Sequence, residues 1–504
     1  MNTEAILQSI IASLPEIFVL LTACLLLLTD LLLKGRRVDL IANLSILVIL
    51  IAATLSFMLE AYPNYFVSGP ADSSLINNSL VYNPLIYNGM FITDPYSFFF
   101  KLIFYLTTMI TILLSNQYIK MEGEAHSEFF IMLLFALCGM MIMASATDLI
   151  SIYVGLELLA LSLYVLTGFI KHSERSIESA LKYLILSAIA TCLMLYGASL
   201  FYGLCGTTQL DGITESLTTP PTTTTTTTDP AIILASLFLI AGFAFKIAAV
   251  PFHMWAPDVY EGAPTPITAF MSVGSMAAGF AVMLRVFAHA LLPLSDIWLL
   301  IFATISLATM AVGSFVALVQ TNIKRLLAYS SIAHAGFALL GLVAGGENGV
   351  ASVMFYLLIY AFMSLGIFSV VIIMKTQHSP NELIDDYSGL SKHHSVLALL
   401  MLLFLFSLTG IPPTAGFMAK LYIIVALINE GYFLLAVAGV LFSAIAAFFY
   451  LRIVMLMYMR ETNQKLELDK HLTLQLSLAI TGIATLGIGL FPDWFLGLAM
   501  RSVL

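Results

Sequence analysis

The sequence is organised in long apolar blocks separated by short polar stretches. Such blocks are about 18 to 25 residues long, the length that an α-helix needs to cross a bilayer, and 60% of all residues are hydrophobic. About fourteen blocks follow one another, and those near residues 243 and 410 contain proline in mid-run. The pattern predicts an all-α polytopic membrane protein with about 14 transmembrane helices, of which the seventh and twelfth are broken.

Composition excludes several other classes of protein. Only 10% of the residues are charged, against roughly 25% in a soluble domain, and no basic tract suggests binding to nucleic acid. The 4 cysteines are scattered without metal-ligand spacing, so we expect no metal or cluster on this chain. The N-terminus lacks a basic segment before its first apolar block, and we interpret that block as a retained span.

The loop charges test the number of spans. If the N-terminus lies outside, the basic loop residues from Lys34 to Lys470 fall almost entirely in inside loops, and Arg501 is the clear exception. This alternation fits the positive-inside rule and predicts that both termini lie outside, in the periplasm of a bacterial host. The threonine-rich stretch from Thr218 to Pro230 falls in an outside loop, and we interpret it as a polar spacer.

Five ionisable side chains lie inside apolar blocks. They are Glu157, Lys182, Lys246, His334 and Lys420. A charge at the centre of a membrane helix costs roughly 2.5–3.5 kcal/mol on insertion scales, and residues that are retained at that cost are candidates for function.

Structural explanations compete with function for three of the five. Lys182 follows Glu178 by one helical turn, so it could be an interfacial lysine in an i,i+4 pair. Glu157 could be the structural partner of a lysine on a neighbouring helix. His334 could be an interior histidine whose hydrogen bonds are satisfied.

Two further cations lie toward the outer ends of their spans. Lys101 is in SFFFKLIFY of the third span, and Arg285 is in the eighth. We interpret both as interfacial side chains that reach the membrane surface.

Prolines place a break beside each mid-membrane lysine. Pro251 follows Lys246, and Pro412 and Pro413 precede Lys420 in SLTGIPPTAGFMAK. Proline removes a backbone hydrogen bond and clashes with the preceding turn, and the freed carbonyls need protein or water because they cannot face lipid. A lysine beside such a break can be reached by water and can gain and lose a proton.

The same features predict a repeat. Spans four to eight and nine to thirteen form two sets of five, each with a titratable group in its second span and a broken helix with lysine in its fourth. Five is odd, so the second set must be inverted relative to the first. The predicted units are an N-terminal segment 1–127, the sets 128–292 and 293–460, and a C-terminal helix in 461–504.

Three segments together resemble one known family. They are FKIAAVPFHMWAPDVYEGAPTP, QTNIKRLLAYSSIAHAGF and SLTGIPPTAGFMAKLY. They are similar to signatures of the antiporter-like subunits of proton-pumping NADH:quinone oxidoreductase, respiratory complex I, and the resemblance covers essentially the whole chain. Within the family, lysine at Lys420 disfavours subunit M, and the short segment after the last span favours subunit N over subunit L.

The resemblance implies a role for each candidate residue. Glu157 with Lys182 would act as an electrostatic switch that passes a proton to Lys246. His334 would belong to a hydrophilic axis along the middle of the membrane, and Lys420 would be the distal lysine nearest the exit.

One position departs from the family pattern. Family members often carry a lysine in the eighth span, where this chain has Met276, which cannot titrate. The connection from Lys246 to His334 must then rely on water, on Ser272 or Ser275, or on His334 itself.

The resemblance implies outward proton translocation by a membrane-arm subunit, driven by quinone reduction in other subunits. Those subunits would use NAD, FMN, iron–sulfur clusters and quinone. This chain has neither a GxGxxG motif after a strand nor cluster-binding cysteines, so we expect no cofactor on it. The expected partners are subunit M, small membrane subunits and bilayer lipids, in a bacterial cell inner membrane.

Two other functions stay open at this point. A subunit of a multi-subunit sodium/proton antiporter would share the fold, and co-purification of flavin and iron–sulfur partners would separate it from complex I. A structural membrane scaffold is disfavoured, because a scaffold does not need lysines beside broken helices.

Overall fold

The computed structural model describes residues 3–32, 38–61, 85–124, 126–218, 229–375, 382–460 and 471–503. Within these ranges, twelve helices are long and apolar enough to cross a membrane. Shorter apolar helices complete the other two spans: Pro230–Lys246 before the seventh-span break, and Ser395–Thr409 and Ala415–Asn429 on either side of the twelfth-span break. The predicted all-α polytopic fold with about 14 spans is confirmed.

The first three spans precede the two sets. Helix α1 (Thr3–Ala12) leads almost directly into α2 (Leu14–Leu32), and α3 (Val38–Ala61) and α4 (Pro95–Met121) follow. A small antiparallel hairpin of β1 (Leu85–Ile86) and β2 (Phe91–Ile92) stands before α4. Asp94 begins α4 by accepting a hydrogen bond from the backbone N–H of Ser97 at 2.8 Å.

The first set of five spans ends in a helix that is almost entirely buried. It comprises α5 (Glu128–Ser145), α6 (Leu149–Thr167), α7 (Glu174–Cys205), the short α8 (Leu210–Thr218), the broken pair α9 (Pro230–Lys246) and α10 (Trp255–Gly262), and α11 (Thr265–Ala290). Helix α11 is buried along nearly its whole length and contains a π-helical stretch, Met271–Ser275. A span without lipid contact lies in the middle of the bundle.

The second set repeats this plan. It comprises α12 (Ser295–Ala317), α13 (Ile323–Ala344), α14 (Gly346–Met374), the short α15 (Leu390–His393), the broken pair α16 (Ser395–Thr409) and α17 (Ala415–Asn429), and α18 (Phe433–Met459). Helices α19 (Leu472–Leu490) and α20 (Pro492–Arg501) end the described chain, and both pack against α14.

Matching backbone contacts show that the two sets are repeats. Asp148 caps α6 and pairs with Gln209 in an isolated β-bridge, and Asn322 caps α13 and pairs with Leu383 in the same way. Each set contains five spans, so the two caps lie on opposite sides of the membrane. The sets are therefore inverted relative to each other, as predicted.

Glycines bring the first two helices of each set into backbone contact. A Cβ atom at Gly139 would lie 2.6 Å from the backbone nitrogen of Leu159, and one at Gly313 would lie 2.6 Å from that of Ala333. Side-chain carbons do not approach that closely, so both positions need glycine. The two contacts occupy corresponding places in α5–α6 and α12–α13.

Two cations that we expected at the membrane surface are buried instead. The Nζ atom of Lys101 lies 2.6 Å from Oε1 of Glu16 on α2, and Lys101 is only 2% exposed. Arg285 donates to both carboxylate oxygens of Asp94, at 2.9 and 3.1 Å. The interfacial interpretation was wrong for both, because each cation meets a carboxylate from a distant part of the chain.

The predicted unit boundaries stay predictions. The boundary at 127/128 coincides with the start of α5, and 292/293 falls in a 3₁₀ turn, Leu292–Leu294, before α12. Residues 461–470 and most of the threonine-rich stretch, 219–228, lie outside the described residues.

Candidate functional site

The seventh span breaks directly after Lys246. Helix α9 ends at this residue and α10 begins at Trp255. Protein groups bind the freed backbone: the indole N–H of Trp255 donates to the Phe245 carbonyl at 3.0 Å, and the Val250 N–H donates to the Thr309 hydroxyl at 3.0 Å. The break that Pro251 predicted is therefore present, and buried side chains stabilise it.

Lys246 places an unpartnered ammonium group in the interior. The residue is 5% exposed, and its Nζ atom has no hydrogen-bond partner in the part of the chain that the structure describes. Its side-chain stem lies beside Gly279 of α11, where an added Cβ would be 3.5 Å from the Lys246 Cγ atom. The carboxylate of Glu157 on α6 is close enough to interact with it electrostatically.

The twelfth span breaks between Thr409 and Ala415, and Lys420 fills the break. Its ammonium group donates to the carbonyl oxygens of Leu408 and Thr409, at 2.8 and 2.9 Å, and to the hydroxyl of Ser443 at 2.7 Å. These carbonyls are freed because α16 stops there. Of the two partners predicted for freed carbonyls, protein or water, these two carbonyls bind a protein group, the Lys420 ammonium.

The two lysines approach their breaks from opposite directions. Lys246 is the last residue of the helix before its break, whereas Lys420 stands in the helix after its break. Lys420 can therefore fold back onto the open end of the preceding helix. Lys246 cannot bond its own helix in this way, which accounts for the difference in their partners.

His334 and Lys420 share one small cavity. The His334 ring nitrogens lie 2.5 Å from the Tyr356 hydroxyl and 3.2 Å from the Tyr450 hydroxyl. The cavity is lined by His334, Lys420, Ser443 and Tyr450 among others and has a volume of ≈ 20 Å³. That volume holds about one water molecule, so proton exchange between the two groups needs only a short bridge.

Lys182 lies apart from Glu157. Its ammonium group is 2.7 Å from Oε1 of Glu178, the predicted i,i+4 partner, and 3.0 Å from Oδ2 of Asp258 on α10. Glu157 forms no ion pair or side-chain hydrogen bond among the residues with a described structure. Glu157 and Lys182 therefore form no ion pair in this structure, where Glu178 and Asp258 contact the Lys182 ammonium group instead, and the switch of Glu157 with Lys182 stays a prediction.

Asp258 also connects the first set to the second. Its Oδ1 atom is 2.9 Å from Nη1 of Arg325 at the start of α13, and the same nitrogen is 2.9 Å from Oε2 of Glu261. The buried Lys324 donates to the carbonyl oxygens of Glu261 and Ala263, at 2.6 and 2.8 Å. We call Glu178, Lys182, Asp258, Glu261, Lys324 and Arg325 the inner charge cluster, because it lies on the side predicted to be inner.

Sequence reasoning missed most of the inner charge cluster. Asp258 and Glu261 stand in WAPDVYEGAP, directly after the seventh-span break, and Lys324 and Arg325 are among the basic loop residues that the charge bias places inside. Two acids just beyond a broken span, with two bases at the start of a later span on the same side, are the signal that could have found it.

Fold and site together define a class of protein. Two inverted five-span sets each contain a broken helix, and each break has a buried lysine beside it. Broken helices with ionisable groups at membrane depth are the arrangement of ion-translocating membrane proteins. The chain is thus a polytopic, antiporter-like membrane protein.

Comparisons with known proteins give the family. Residues 146–446 match the family described as NADH:quinone oxidoreductase/Mrp antiporter, transmembrane. NADH-quinone oxidoreductase subunit N 2 of Rhizobium meliloti (strain 1021) is 54% identical over 504 residues, which are 100% of this chain and 99% of the relative. Subunit N of Rhodospirillum rubrum is 46% identical over 379 residues, 75% of this chain and 77% of the relative.

This chain belongs to the NADH-quinone oxidoreductase subunit N family. It is a multi-pass, membrane-arm subunit of that translocase complex, as the sequence motifs predicted.

Solved structures agree with the fold. A chain of respiratory complex I from Thermus thermophilus with bound aureothin is 28% identical, with a TM-score of 0.77 over 96% of this chain and 99% of that chain. A chain of the Mrp complex from Dietzia sp. DQ12-45-1b is 20% identical, with a TM-score of 0.81 over 100% and 97%. The second likeness shows a shared fold.

Proposed function

We propose that this subunit moves protons outward through a relay of Glu157, Lys182, Lys246, His334 and Lys420. The observation that carries the proposal is the pair of buried lysines, each beside a broken span. A buried amine is held in a setting that disfavours its charged form, so it can release its proton at modest cost. Quinone reduction in other subunits would drive the cycle.

The relay begins at the inner charge cluster. Lys182 is 41% exposed there and is held by Glu178 and Asp258, so it exchanges protons with water. Glu157 interacts with Lys246 and stabilises its protonated form, since a nearby carboxylate favours an ammonium. Movement or protonation of Glu157 then favours release of the proton toward His334. This assigns the switch to Glu157 and Lys246, in place of Glu157 and Lys182.

The relay ends at Lys420. His334 reaches it through their shared cavity, and Ser443 lies against its ammonium group at 2.7 Å. Both termini would be periplasmic, in a bacterial inner membrane. The neighbouring subunits would include subunit M, and NAD, FMN, iron–sulfur clusters and quinone would be bound by other chains.

Substitution of the two lysines tests the proposal in the assembled complex. We expect Lys246→Ala and Lys420→Ala each to lower proton translocation per NADH several-fold. Lys420→Arg should also impair it, because a guanidinium does not release its proton. Proton uptake by native membrane vesicles and the rate of NADH oxidation are the measurements.

Lys171→Ala is the matched control, because Lys171 is exposed outside the described spans. Unchanged translocation in both Lys246→Ala and Lys420→Ala would end the relay hypothesis.

The alternative left open by the sequence was a subunit of a multi-subunit sodium/proton antiporter. The likeness to the Mrp complex, at 20% identity, shows the fold alone, whereas the full-length relative at 54% identity is a subunit N. Purification of the complex from its native membrane separates the two, since flavin and iron–sulfur partners accompany only the complex I subunit.

A further inference from the structure

No ionisable group of the proposed relay lies between Lys246, in the first set, and His334, in the second. Lys246 on α9 belongs to the first set and His334 on α13 to the second. Helix α11 contacts α9 on one side and α14 on the other, and α14 in turn packs against α13. Met276 of α11 lies on the face toward Lys246, because it stands three positions before Gly279, which lies beside the lysine stem. Methionine cannot carry a proton, so another group must connect the two sets.

Hydroxyl groups continue the line from the Lys246 side. Tyr183 is buried and stacks on Trp255 with ring centroids 4.7 Å apart, and Trp255 stacks on Phe245, the neighbour of Lys246. The hydroxyl of Tyr183 lies close to that of Ser275 on α11. The charge of Glu157, which acts on Lys246, also acts on Tyr183.

Ser275 is the α11 residue best placed to receive a proton from this side. It is 2% exposed, and its hydroxyl has no hydrogen-bond partner in the described ranges of the chain. Ser275 and Lys246 border the same face of α11, because Ser275 stands one turn before Gly279. The Lys246 ammonium group and the Ser275 hydroxyl, both buried and without a hydrogen-bond partner among the described residues, thus lie on the same side of α11.

Ser272 carries the line across α11. Ser272 and Ser275 both lie in the π-helical stretch Met271–Ser275, one turn apart. A π-helical turn is wider than an α-helical turn and occurs often at functional sites. Ser272 is 1% exposed, and its hydroxyl donates to the Ala269 carbonyl at 2.9 Å.

Tyr360 completes the line to His334. This tyrosine of α14 is 2% exposed, and its hydroxyl lies close to those of Ser272 and Ser331. Its ring centroid is 5.1 Å from that of His334. Ser331 stands on α13 one turn before His334, so both side chains project from the same face of that helix.

We propose that a row of hydroxyls, Tyr183, Ser275, Ser272, Tyr360 and Ser331, carries protons between Lys246 and His334. The inference rests on the proposed function and names the residues that connect its two halves. Each hydroxyl oxygen accepts one proton and releases its own to the next acceptor, so no group is changed after a passage. Rotation of the hydroxyls then restores the row.

Removal of two hydroxyls tests the row with little change of shape. We expect the double variant Tyr360→Phe, Ser272→Ala to assemble normally and to translocate protons several-fold less per NADH. The matched control is Tyr387→Phe, which removes the hydroxyl of another fully buried tyrosine. That hydroxyl has no partner in the described structure, so the control should translocate protons normally.

A rescue experiment separates proton transfer from a change of structure. Met276→Lys places an amine on the face of α11 that borders Lys246 and is one turn from Ser272. We expect Met276→Lys alone to assemble and pump, and to restore translocation in the double variant. A residue that served only for structure would not be replaced by an amine at a different position.

The outcomes test the row of hydroxyls and the proposed relay separately. Normal translocation in the double variant, a defect that Met276→Lys leaves uncorrected, or failure of Met276→Lys alone to assemble would each overturn the row. If Lys246→Ala and Lys420→Ala are impaired in the same assay, the proposed function stands without the row. If they too are normal, the proposed function has failed.

Discussion

A single glycine decides whether the twelfth span can break as it does. A Cβ atom at Gly416 would lie 1.8 Å from the Ser407 carbonyl oxygen, a distance that no side-chain carbon tolerates. The backbone N–H of Gly416 also donates to the Ser407 hydroxyl at 3.0 Å. The helix after the break therefore begins directly against the helix before it. The position of Lys420, one turn further along the second helix, depends on this contact.

We expect Gly416→Ala to destabilise the subunit. Insertion of one methyl group into a filled interior costs about 1–3 kcal/mol, and more where backbone must move. The thermal stability of the purified complex and the amount of assembled subunit measure the effect. Gly487→Ala is the control, because a Cβ there meets no atom within 4 Å, and equal stability of the two variants would contradict the argument.

One buried ion pair connects helices α2 and α4 of the N-terminal segment. Lys101 on α4 and Glu16 on α2 are 2% and 4% exposed, and their charged atoms are 2.6 Å apart. A buried pair gives little net stability compared with two apolar side chains, but removal of one partner leaves an unpaired buried charge. The pair is thus a strong constraint on which helices lie side by side.

A pair of substitutions measures this constraint. Lys101→Met alone should lower the free energy of unfolding by about 3–5 kcal/mol, because Glu16 then keeps a buried, unpaired charge. The double variant Glu16→Gln, Lys101→Met should regain most of that loss, since neither side chain is charged. Thermal unfolding of the complex is the measurement. A double variant as unstable as the single one would show that packing, and not charge, dominates.

At the level of the whole molecule, the charge bias of the loops predicts orientation. Lys171 follows the fifth span and Glu347 begins the eleventh, and both are exposed in the structure. The fifth span ends inside and the eleventh begins outside if the N-terminus is outside. The two positions should therefore face opposite compartments.

Labelling of introduced cysteines tests this orientation. Spheroplasts, which lack the outer membrane, expose only the outer side of the inner membrane. We expect a membrane-impermeant maleimide added to them to label Glu347→Cys and to leave Lys171→Cys unlabelled. Inverted vesicles should show the reverse pattern, which serves as the control for reactivity. Labelling of Lys171→Cys from the outside would mean that the orientation predicted from the loop charges is wrong.

Much of the fold and part of the site could be predicted from the sequence. Span length, the two proline breaks and the repeat depend on patterns within about twenty residues or on their recurrence, and all three are present in the structure. Lys246 and Lys420 could be found for the same reason, because each lies beside its break along the chain. The pairing of Lys182 with Glu178 is likewise local.

The partners of the buried charges could not be predicted. Asp258 reaches Lys182, and Glu16 reaches Lys101, from helices far away along the chain. Residue order therefore determined the spans, the breaks and the candidate lysines, because hydrophobicity and backbone chemistry act over short stretches. Only the tertiary structure decided which charges meet and which hydroxyls lie near one another, because those distances depend on how the helices pack.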